Sequence, residues 1–255
     1  MALFLVGTGL SEGDITDKAI ALCMECSAIF LDSYTSVVHS TTIEAIRKAT
    51  GKEIKTLSRS DMEENAKRLI SEAKTDNIAV LTGGDPLIAT THKILFLEAK
   101  KQGVKFAAIH STSIFSTAIG ESGLDFYKFG KTFTIPSWSE HYRPISFYET
   151  LKKNQSICAH SVALLDFDQS KGVSMPISDA LAELEAAEAH YKDGIISPGK
   201  KIFIMANLCG SGEIKDYITF ADAKQKQYGS APALIIIPAQ LSDIEEEIVR
   251  SMYGN

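Results

Sequence analysis

The chain has 255 residues, of which 45% are hydrophobic, so it can form one large α/β domain or two modest ones. Its net charge of −6 leaves no broad basic face, which argues against nucleic acid or an anionic membrane surface as a direct partner. The four cysteines are too sparse for a disulfide framework and the N-terminal apolar run stops at Gly7, so we expect a cytoplasmic protein without a signal peptide or membrane span.

The first half of the sequence alternates short apolar runs with segments of helical spacing. A short apolar run rich in β-branched residues is typical of a buried strand, whereas apolar residues three and four positions apart are typical of a helix. The predicted strands are residues 2–7, 28–33, 53–57, 77–83 and 105–110. The predicted helices run from an N-cap at Asp14 to about Ala28, over 40–50 up to Gly51, from Ser60 or Asp61 to Lys74, and over 89–101. This alternation predicts a parallel sheet covered by helices on both faces.

The pattern becomes less regular over residues 120–146, which are rich in aromatic residues, glycine and proline. We expect this segment to be the crossing between two domains, residues 1–123 and 124–255. Beyond it, the sequence predicts strands at 161–168, 200–208 and 233–238, a helix over 176–192 capped by Ser178 or Asp179, and a helix over 241–254. The second domain is therefore expected to be a smaller and less regular α/β unit built on a mixed sheet.

Cys23 and Cys26 form a C-x-x-C inside the first predicted helix. The sequence places no second cysteine pair and no histidine close to them, so helix packing is favoured over a zinc or redox role. No carboxylate and histidine spacing typical of a metal site occurs elsewhere, and we expect no metal. A nucleophile elbow and a Walker A loop are also absent from the sequence.

The first strand ends in a glycine-rich turn, VGTGLSEGDIT at 6–16. Gly7, Gly9 and Gly13 are similar to the G-x-G-x-x-G fingerprint of dinucleotide-binding proteins, with one residue too many before the last glycine. Asp32, at the end of the second strand, stands where such proteins have an acidic residue for the ribose. An NAD-dependent Rossmann oxidoreductase is therefore one alternative.

The fourth strand ends in GGDPLIATTH at 83–92. Asp85 can be an N-cap with Pro86 as the first helical residue, and its carboxylate can also accept hydrogen bonds from a ribose diol or a cationic ligand. His92 is expected to be a packed or locally hydrogen-bonded side chain rather than a base.

The fifth strand ends in AIHSTSIFS at 108–116, where Ser111 or Thr112 can cap a helix. The ends of strands one, four and five are thus all polar. Because the carboxyl ends of parallel strands lie at one edge of a sheet, these three corners predict a small-molecule site. The segments YTS after the second strand and YKFGK at 127–131 place aromatic residues and lysines near the same edge, where ordinary surface packing is the alternative.

These motifs, in this order and spacing, resemble the diphthine synthase family, which belongs to the tetrapyrrole-methylase-like class of S-adenosylmethionine-dependent methyltransferases. The motifs that carry the resemblance are VGTGLSEGDIT, YTS, GGDPLIATTH, IHSTSI and YKFGK. The resemblance extends over nearly the whole chain and is strongest in residues 1–131. It implies two α/β domains of the tetrapyrrole methylase type, with S-adenosylmethionine held in the cleft between them, and a homodimer.

The resemblance also implies which residues contact the methyl donor. In the first domain these are Leu10, Asp85, Ile88, Ser113 and Ile114, and in the second they are Leu165, Cys209 and Ala233. The second-domain motifs depart from the family pattern. Relatives tend to have Ala-Arg-x-Gly at 207–210, where this chain has Asn-Leu-Cys-Gly.

The family's substrate is a histidine of translation elongation factor 2 that carries a 3-amino-3-carboxypropyl group, whose amine is trimethylated in diphthamide biosynthesis. We therefore expect elongation factor 2 as the protein partner, with Tyr34, Tyr127 and Lys128 as candidate contacts to the modified histidine. A tetrapyrrole or other small-molecule methyltransferase of the same fold is the second alternative. No general base is assigned from the sequence.

Overall fold

The computed structural model of the chain describes residues 1–33, 37–62, 66–168, 173–229 and 231–254. The chain divides into two compact units, Met1–Ser116 and Thr117–Asn255, and each unit contains a five-stranded sheet flanked by helices. In the described ranges, no helix is long and apolar enough to cross a membrane.

The first unit is a parallel α/β unit, as its alternating pattern predicts. Its strands are β1 (Ala2–Gly7), β2 (Ala28–Asp32), β3 (Ile54–Leu57), β4 (Ile78–Thr82) and β5 (Lys105–Ile109). Its helices are α1 (Asp17–Glu25), α2 (Ser40–Thr50), α3 (Arg59–Met62), α4 (Ala66–Glu72) and α5 (Lys93–Lys101), and α6 (Ile114–Ser122) begins at its end. The strand order is β3-β2-β4-β1-β5, and every neighbouring pair is parallel.

Alternate residues of the central strands enter two separate cores. On β4, Ile78 and Val80 belong to one buried cluster, while Ala79 and Leu81 belong to the cluster on the other face. A strand covered on both faces is apolar at nearly every position, which explains the apolar run from Ile78 to Leu81 in the sequence. Burying an aliphatic side chain of this size contributes about 1.5–3 kcal/mol, so these residues hold the sheet from which the candidate site projects.

The second unit is built on a mixed sheet, which confirms the predicted fold class. Its strands are β6 (Phe133–Ile135), β7 (Ser161–Leu165), β8 (Phe167–Asp168), β9 (Val173–Ser174), β10 (Lys201–Ala206), β11 (Ile214–Thr219) and β12 (Ala233–Ile237). Its helical segments are a 3₁₀ turn (Phe126–Lys128), α7 (Phe147–Ser156), α8 (Ile177–Tyr191), α9 (Phe220–Gln225) and α10 (Asp243–Tyr253). The sheet order is β11-β10-β12-β7-β6, where β6 and β7 pair in parallel and the other neighbours are antiparallel.

In one detail the second unit differs from the expectation, because it is not the smaller of the two. Its sheet also has five strands, including β6 and β11, which the sequence pattern did not predict. Both are edge strands, and an edge strand needs neither length nor continuous hydrophobicity. In β11, IKDYIT, all six residues are only partly buried, so its composition does not distinguish it from a loop.

Two predicted helix starts are also corrected. Helix α8 begins at Ile177 with Pro176 in the N-cap position, and neither Ser178 nor Asp179 caps it, since the Ser178 hydroxyl donates to Asp179 at 3.1 Å. Helix α3 begins at Arg59, before the predicted Ser60 or Asp61. The Asp61 carboxylate accepts the Ser58 backbone N–H at 2.9 Å.

Candidate functional site

Three loops of the first unit leave the sheet at the same edge. They are the first corner (residues 8–16) after β1, the second corner (83–92) after β4 and the third corner (110–113) after β5. Strands β4, β1 and β5 are neighbours in the sheet and run parallel. The three corners therefore lie side by side, as their positions at strand ends predict.

The first and second corners are joined through their backbones. Gly84 N–H donates to Gly9 O at 2.8 Å, Gly9 N–H donates to Gly84 O at 3.3 Å, and Thr8 N–H donates to Thr82 O at 2.9 Å. Gly9 has φ +77° and Gly84 has φ +66°, in the left-handed region that side-chain-bearing residues avoid. These glycines are needed for the crossing of two loops.

Gly7 lies where all three corners meet. A Cβ atom on Gly7 would be 2.6 Å from Gly84 O, 2.8 Å from Pro86 Cδ and 3.1 Å from Ser111 Cβ. Only a residue without a side chain allows this approach. The G-x-G pattern of the sequence thus has a steric cause inside the protein and needs no dinucleotide to explain it.

Asp14 shapes the first corner instead of capping α1. Its Oδ2 accepts the backbone N–H groups of Leu10 at 2.9 Å and Ser11 at 3.1 Å. Helix α1 begins at Asp17 and is capped by Thr16, whose hydroxyl accepts the Ala19 N–H at 3.1 Å. The predicted cap at Asp14 is therefore wrong, because its carboxylate is already used to close the preceding loop.

Two further side chains fix the first corner. The Ser111 hydroxyl of the third corner donates to Asp14 O at 3.0 Å. His39, which precedes α2, donates through Nε2–H to Leu10 O at 2.9 Å. Leu10, a predicted donor contact, is thus held at both its N–H and its carbonyl. His39 was not predicted, because only the fold brings it to residue 10.

The second corner is a run of turns, not the start of a helix. Helix α5 begins at Lys93, so the alternative with Asp85 as N-cap and Pro86 as first helical residue is wrong. Asp85 Oδ1 instead accepts the Leu87 N–H at 3.0 Å, which closes a local turn, and Ala89 adopts φ +54°. Ile88, another predicted donor contact, is 44% exposed on this loop.

Asp85 also contacts the third corner. His110 Nδ1 lies 2.8 Å from Asp85 Oδ2, and since a carboxylate accepts, Nδ1–H is the donor. The Asp85 side chain is 8% exposed, whereas that of His110 is 66% exposed. This pair places a carboxylate-held imidazole at the edge of the sheet, three residues before Ser113.

His92 is buried, as expected of a packed side chain. Its Nε2–H donates to Asp32 Oδ2 at 2.9 Å, and its Nδ1 lies 3.2 Å from Pro86 O. The His92 side chain is 2% exposed and the Asp32 side chain is 0% exposed. The pair ties the second corner to the end of β2. Asp32 therefore lies inside the protein and cannot reach a ribose, which removes the acidic residue that the oxidoreductase alternative requires.

The three predicted donor contacts of the second unit lie at one edge of its sheet. Leu165 ends β7 and Ala233 begins β12, and the two are neighbours because β7 and β12 are antiparallel, with Leu164 opposite Leu234. Ala233 is also paired with Ala206, the last residue of β10. Cys209 follows in the turn after β10. The unit thus brings together residues that are far apart in the sequence.

The turn that carries Cys209 is backbone-strained. Asn207 has φ +50° and Cys209 has φ +65°, both unusual for residues with side chains. A Cβ on Gly210 would lie 2.7 Å from the Asn207 side chain, which would have to move to accommodate it. Cys209 is exposed, and its N–H donates to Glu213 Oε2 at 3.0 Å.

The YKFGK segment begins in the 3₁₀ turn of the second unit, which contains its Tyr127 and Lys128. Tyr127 is 90% exposed. The Lys128 ammonium donates to the Glu245 carboxylate and to Gln240 O, the latter at 3.1 Å. Burial alone raises the pKa of Glu245, but the bonds from Lys128 and backbone N–H groups outweigh it and hold the pKa well below its usual range.

His160 lies beneath this turn and is fully buried. Its Nδ1 accepts the Ala239 N–H at 3.0 Å, so Nε2 carries the proton and donates to Glu245 Oε1 at 2.9 Å. Burial lowers the pKa of His160, against the opposing effect of Glu245. Lys128, Glu245 and His160 together tie the 3₁₀ turn to α10.

The remaining substrate candidate, Tyr34, lies outside the described residues, as do Thr35 and Ser36. The part of the chain that the structure describes contains no group of three or more His, Cys, Asp or Glu side chains that could hold a metal ion. Cys23 and Cys26 are buried free thiols in the core beside α1, where burial raises the pKa of Cys23 to about 12.

Known proteins match the chain along its whole length. The profile of the Tetrapyrrole (Corrin/Porphyrin) Methylases matches residues 2–209. Diphthine synthase of Methanocaldococcus jannaschii is 38% identical over 263 residues and that of Methanococcus vannielii is 34% identical over 257 residues, with 99% of both chains covered in each case. A crystal structure of a diphthine synthase has a TM-score of 0.88 and 31% identity, covering 100% of this chain and 96% of that one. The chain therefore belongs to the tetrapyrrole methylase family, groups with the diphthine synthases and is a methyltransferase.

Proposed function

We propose that the chain is an S-adenosylmethionine-dependent N-methyltransferase of diphthamide biosynthesis. Its substrate is the 3-amino-3-carboxypropyl-modified histidine of translation elongation factor 2, whose amino group it trimethylates. The observation that carries the proposal is the Asp85 carboxylate, fixed between the second and third corners of the first unit, in a chain similar over its full length to diphthine synthases.

The residues of the first unit are chemically suited to S-adenosylmethionine. A carboxylate can accept about four hydrogen bonds, and with the described residues Asp85 makes two, to Leu87 and His110. The remaining lone pairs suit the ribose diol or the ammonium group of the donor. Leu10, Ile88 and Ile114 offer apolar surface for its adenine, and Ser113 offers a hydroxyl. We also assign Leu165, Cys209 and Ala233 of the second unit to donor binding.

When bound, S-adenosylmethionine supplies a methyl group on a sulfonium, which leaves as a neutral thioether. The protein therefore needs no covalent nucleophile. Its residues have to align the substrate amine, exclude water and accept a proton.

For the substrate we propose contacts from Tyr127, Tyr34 and Lys128. The exposed ring of Tyr127 suits the growing ammonium, since a cation is attracted to an aromatic face. Within the described part of the chain, the Lys128 ammonium donates to Glu245 and Gln240, so one of its three N–H donors is left for the substrate carboxylate. We further infer a cytoplasmic homodimer, as in the family that the chain resembles.

The experiment is isothermal calorimetry of S-adenosylmethionine binding to the wild type and to D85A. Loss of the carboxylate should weaken binding by about tenfold or more, as the loss of a charge-assisted hydrogen bond of about 1.5–3 kcal/mol requires. The matched control is D76A, which removes an exposed aspartate whose side chain contacts Thr75. Unchanged affinity in D85A would remove Asp85 from the donor site.

A further inference from the structure

The proposed reaction requires a proton acceptor at each step. An alkyl amine carries a proton at neutral pH, and only the neutral amine has the lone pair that attacks a methyl carbon. Three successive methylations therefore need three proton removals. A base that serves them must be reachable, hold a free lone pair and return its proton to water.

Most histidines of the described chain do not meet these conditions. His92 and His160 are buried, and both ring nitrogens of each are hydrogen-bonded to the protein. His39 is less suited, because its Nε2–H donates to a backbone carbonyl, Leu10 O, which does not stabilise a protonated ring as a carboxylate does. His141 and His190 lie exposed in the second unit, the former in the loop after β6 and the latter on α8, and neither segment carries a predicted site residue.

His110 meets all three conditions. Its Nδ1–H donates to Asp85, so the second nitrogen, Nε2, holds the lone pair, and the side chain is 66% exposed. A carboxylate that fixes one imidazole nitrogen orients the other for proton transfer and stabilises the protonated ring. The Asp14 carboxylate, across the first corner, is directed at the N–H groups of Leu10 and Ser11, so Asp85 is the acid that contacts this ring.

The position of His110 connects it to the proposed donor site. The His110 ring contacts the Asp85 carboxylate, and His110 precedes Ser113 by three residues. Asp85 and Ser113 are both proposed donor contacts, at the same edge of the sheet. The base would therefore stand beside the residues that hold the methyl donor.

We propose that His110 is the general base of the methyl transfer. This inference rests on the proposed function. Nε2 takes one proton from the substrate ammonium. The freed nitrogen lone pair then forms the N–C bond to the methyl carbon as the C–S bond breaks, with its electron pair remaining on sulfur. The protonated imidazole, paired with Asp85, returns the proton to water before the next transfer.

The test uses H110N with elongation factor 2 purified at the aminocarboxypropyl-histidine stage. The asparagine amide can replace Nδ1–H as donor to Asp85 but cannot accept a proton, so the corner is kept while the base is removed. The single-turnover rate at saturating S-adenosylmethionine should fall by about 100-fold or more. Donor affinity by calorimetry should stay within about twofold of the wild type. Added imidazole should restore part of the rate to H110A.

The outcomes separate this inference from the function on which it rests. H190N, which changes the exposed histidine on α8, is the matched control and should react at the wild-type rate. A wild-type single-turnover rate in H110N would overturn the base assignment. The assignment would also be overturned if H110N bound S-adenosylmethionine so weakly that the lost affinity explained the whole fall in rate. If the wild type itself binds the donor but does not methylate elongation factor 2, the proposed substrate is wrong, and that result does not depend on His110.

Discussion

Replacing Glu183 with glutamine should make the second unit more stable at neutral and alkaline pH. Glu183 lies on α8 with 3% of its surface exposed. Its Oε1 accepts the Trp138 N–H at 3.1 Å, while Oε2 has no hydrogen-bond partner among the described residues. Burial raises the pKa of Glu183 to about 7. The hydrogen bond from the Trp138 backbone N–H opposes this shift, and the negative charges of Asp179 and Asp166 add to it.

The magnitude follows from the shift of this pKa. The pKa of an ordinary glutamate is 4.5, so folding raises it by about 2.5 units to about 7. At about 1.36 kcal/mol per unit, the ionised side chain costs up to ~3 kcal/mol of folding free energy. Because the folded state binds the proton more tightly, the cost is absent below pH 4.5, develops as pH rises and is complete above pH 7. In E183Q it should be absent throughout.

The assay is urea unfolding at pH 5 and pH 8, followed by the fluorescence of Trp138. This is the single tryptophan of the chain and it contacts Glu183, so the signal reports on the second unit. The gain in unfolding free energy for E183Q over wild type should be larger at pH 8 than at pH 5. The control is E185Q, which removes a surface ion pair with Lys224 and should change stability by less than about 1 kcal/mol. An equal effect of E183Q at both pH values would refute the reasoning.

Three further changes test other parts of the structure. G7A should destabilise the first unit and weaken donor binding, because its methyl group would lie 2.6 Å from Gly84 O; a wild-type melting temperature would contradict this close contact. Because burial lowers the pKa of His160 in the folded state, the unfolded state takes up the proton first, and the second unit should lose stability as pH falls from about 6.5. The free energy of unfolding in urea should therefore differ less between wild type and H160N at pH 5.5 than at pH 7.5. Cys23 should resist iodoacetamide until the protein is unfolded, since the thiol is buried and its pKa is raised to about 12; rapid alkylation of the folded protein, read by peptide mass spectrometry, would count against this.

The parallel sheet and the convergence of its corners could be predicted from the sequence because both depend on local patterns. The first four residues of β4, a strand buried on both faces, are all apolar, and the switch to helical spacing marks each corner. The αL glycine that ends α2, Gly51, is an equally local signal. Because the carboxyl ends of parallel strands lie at one edge of a sheet, these local signals are enough to predict that the corners lie together.

The internal contacts of the site could not be predicted in the same way, since they join residues far apart in the chain. His92 meets Asp32 across 60 residues, and His110 meets Asp85 across 25. The predicted start of α5 is wrong for the same reason, because the contacts of Asp85 with His110 and of His92 with Asp32 hold residues 83–92 in turns. A histidine directly after β5 is a signal for His110 that the sequence shows, whereas its carboxylate partner is known only from the fold.

The central claim is that the chain trimethylates the aminocarboxypropyl amine of elongation factor 2. The most direct test is peptide mass spectrometry of elongation factor 2, purified at that stage, after incubation with the protein and S-adenosylmethionine. The account predicts a gain of three methyl groups confined to the peptide with the modified histidine. No gain, with donor binding demonstrated by calorimetry on the same preparation, would contradict the assigned substrate and favour a tetrapyrrole or other small molecule as the methyl acceptor.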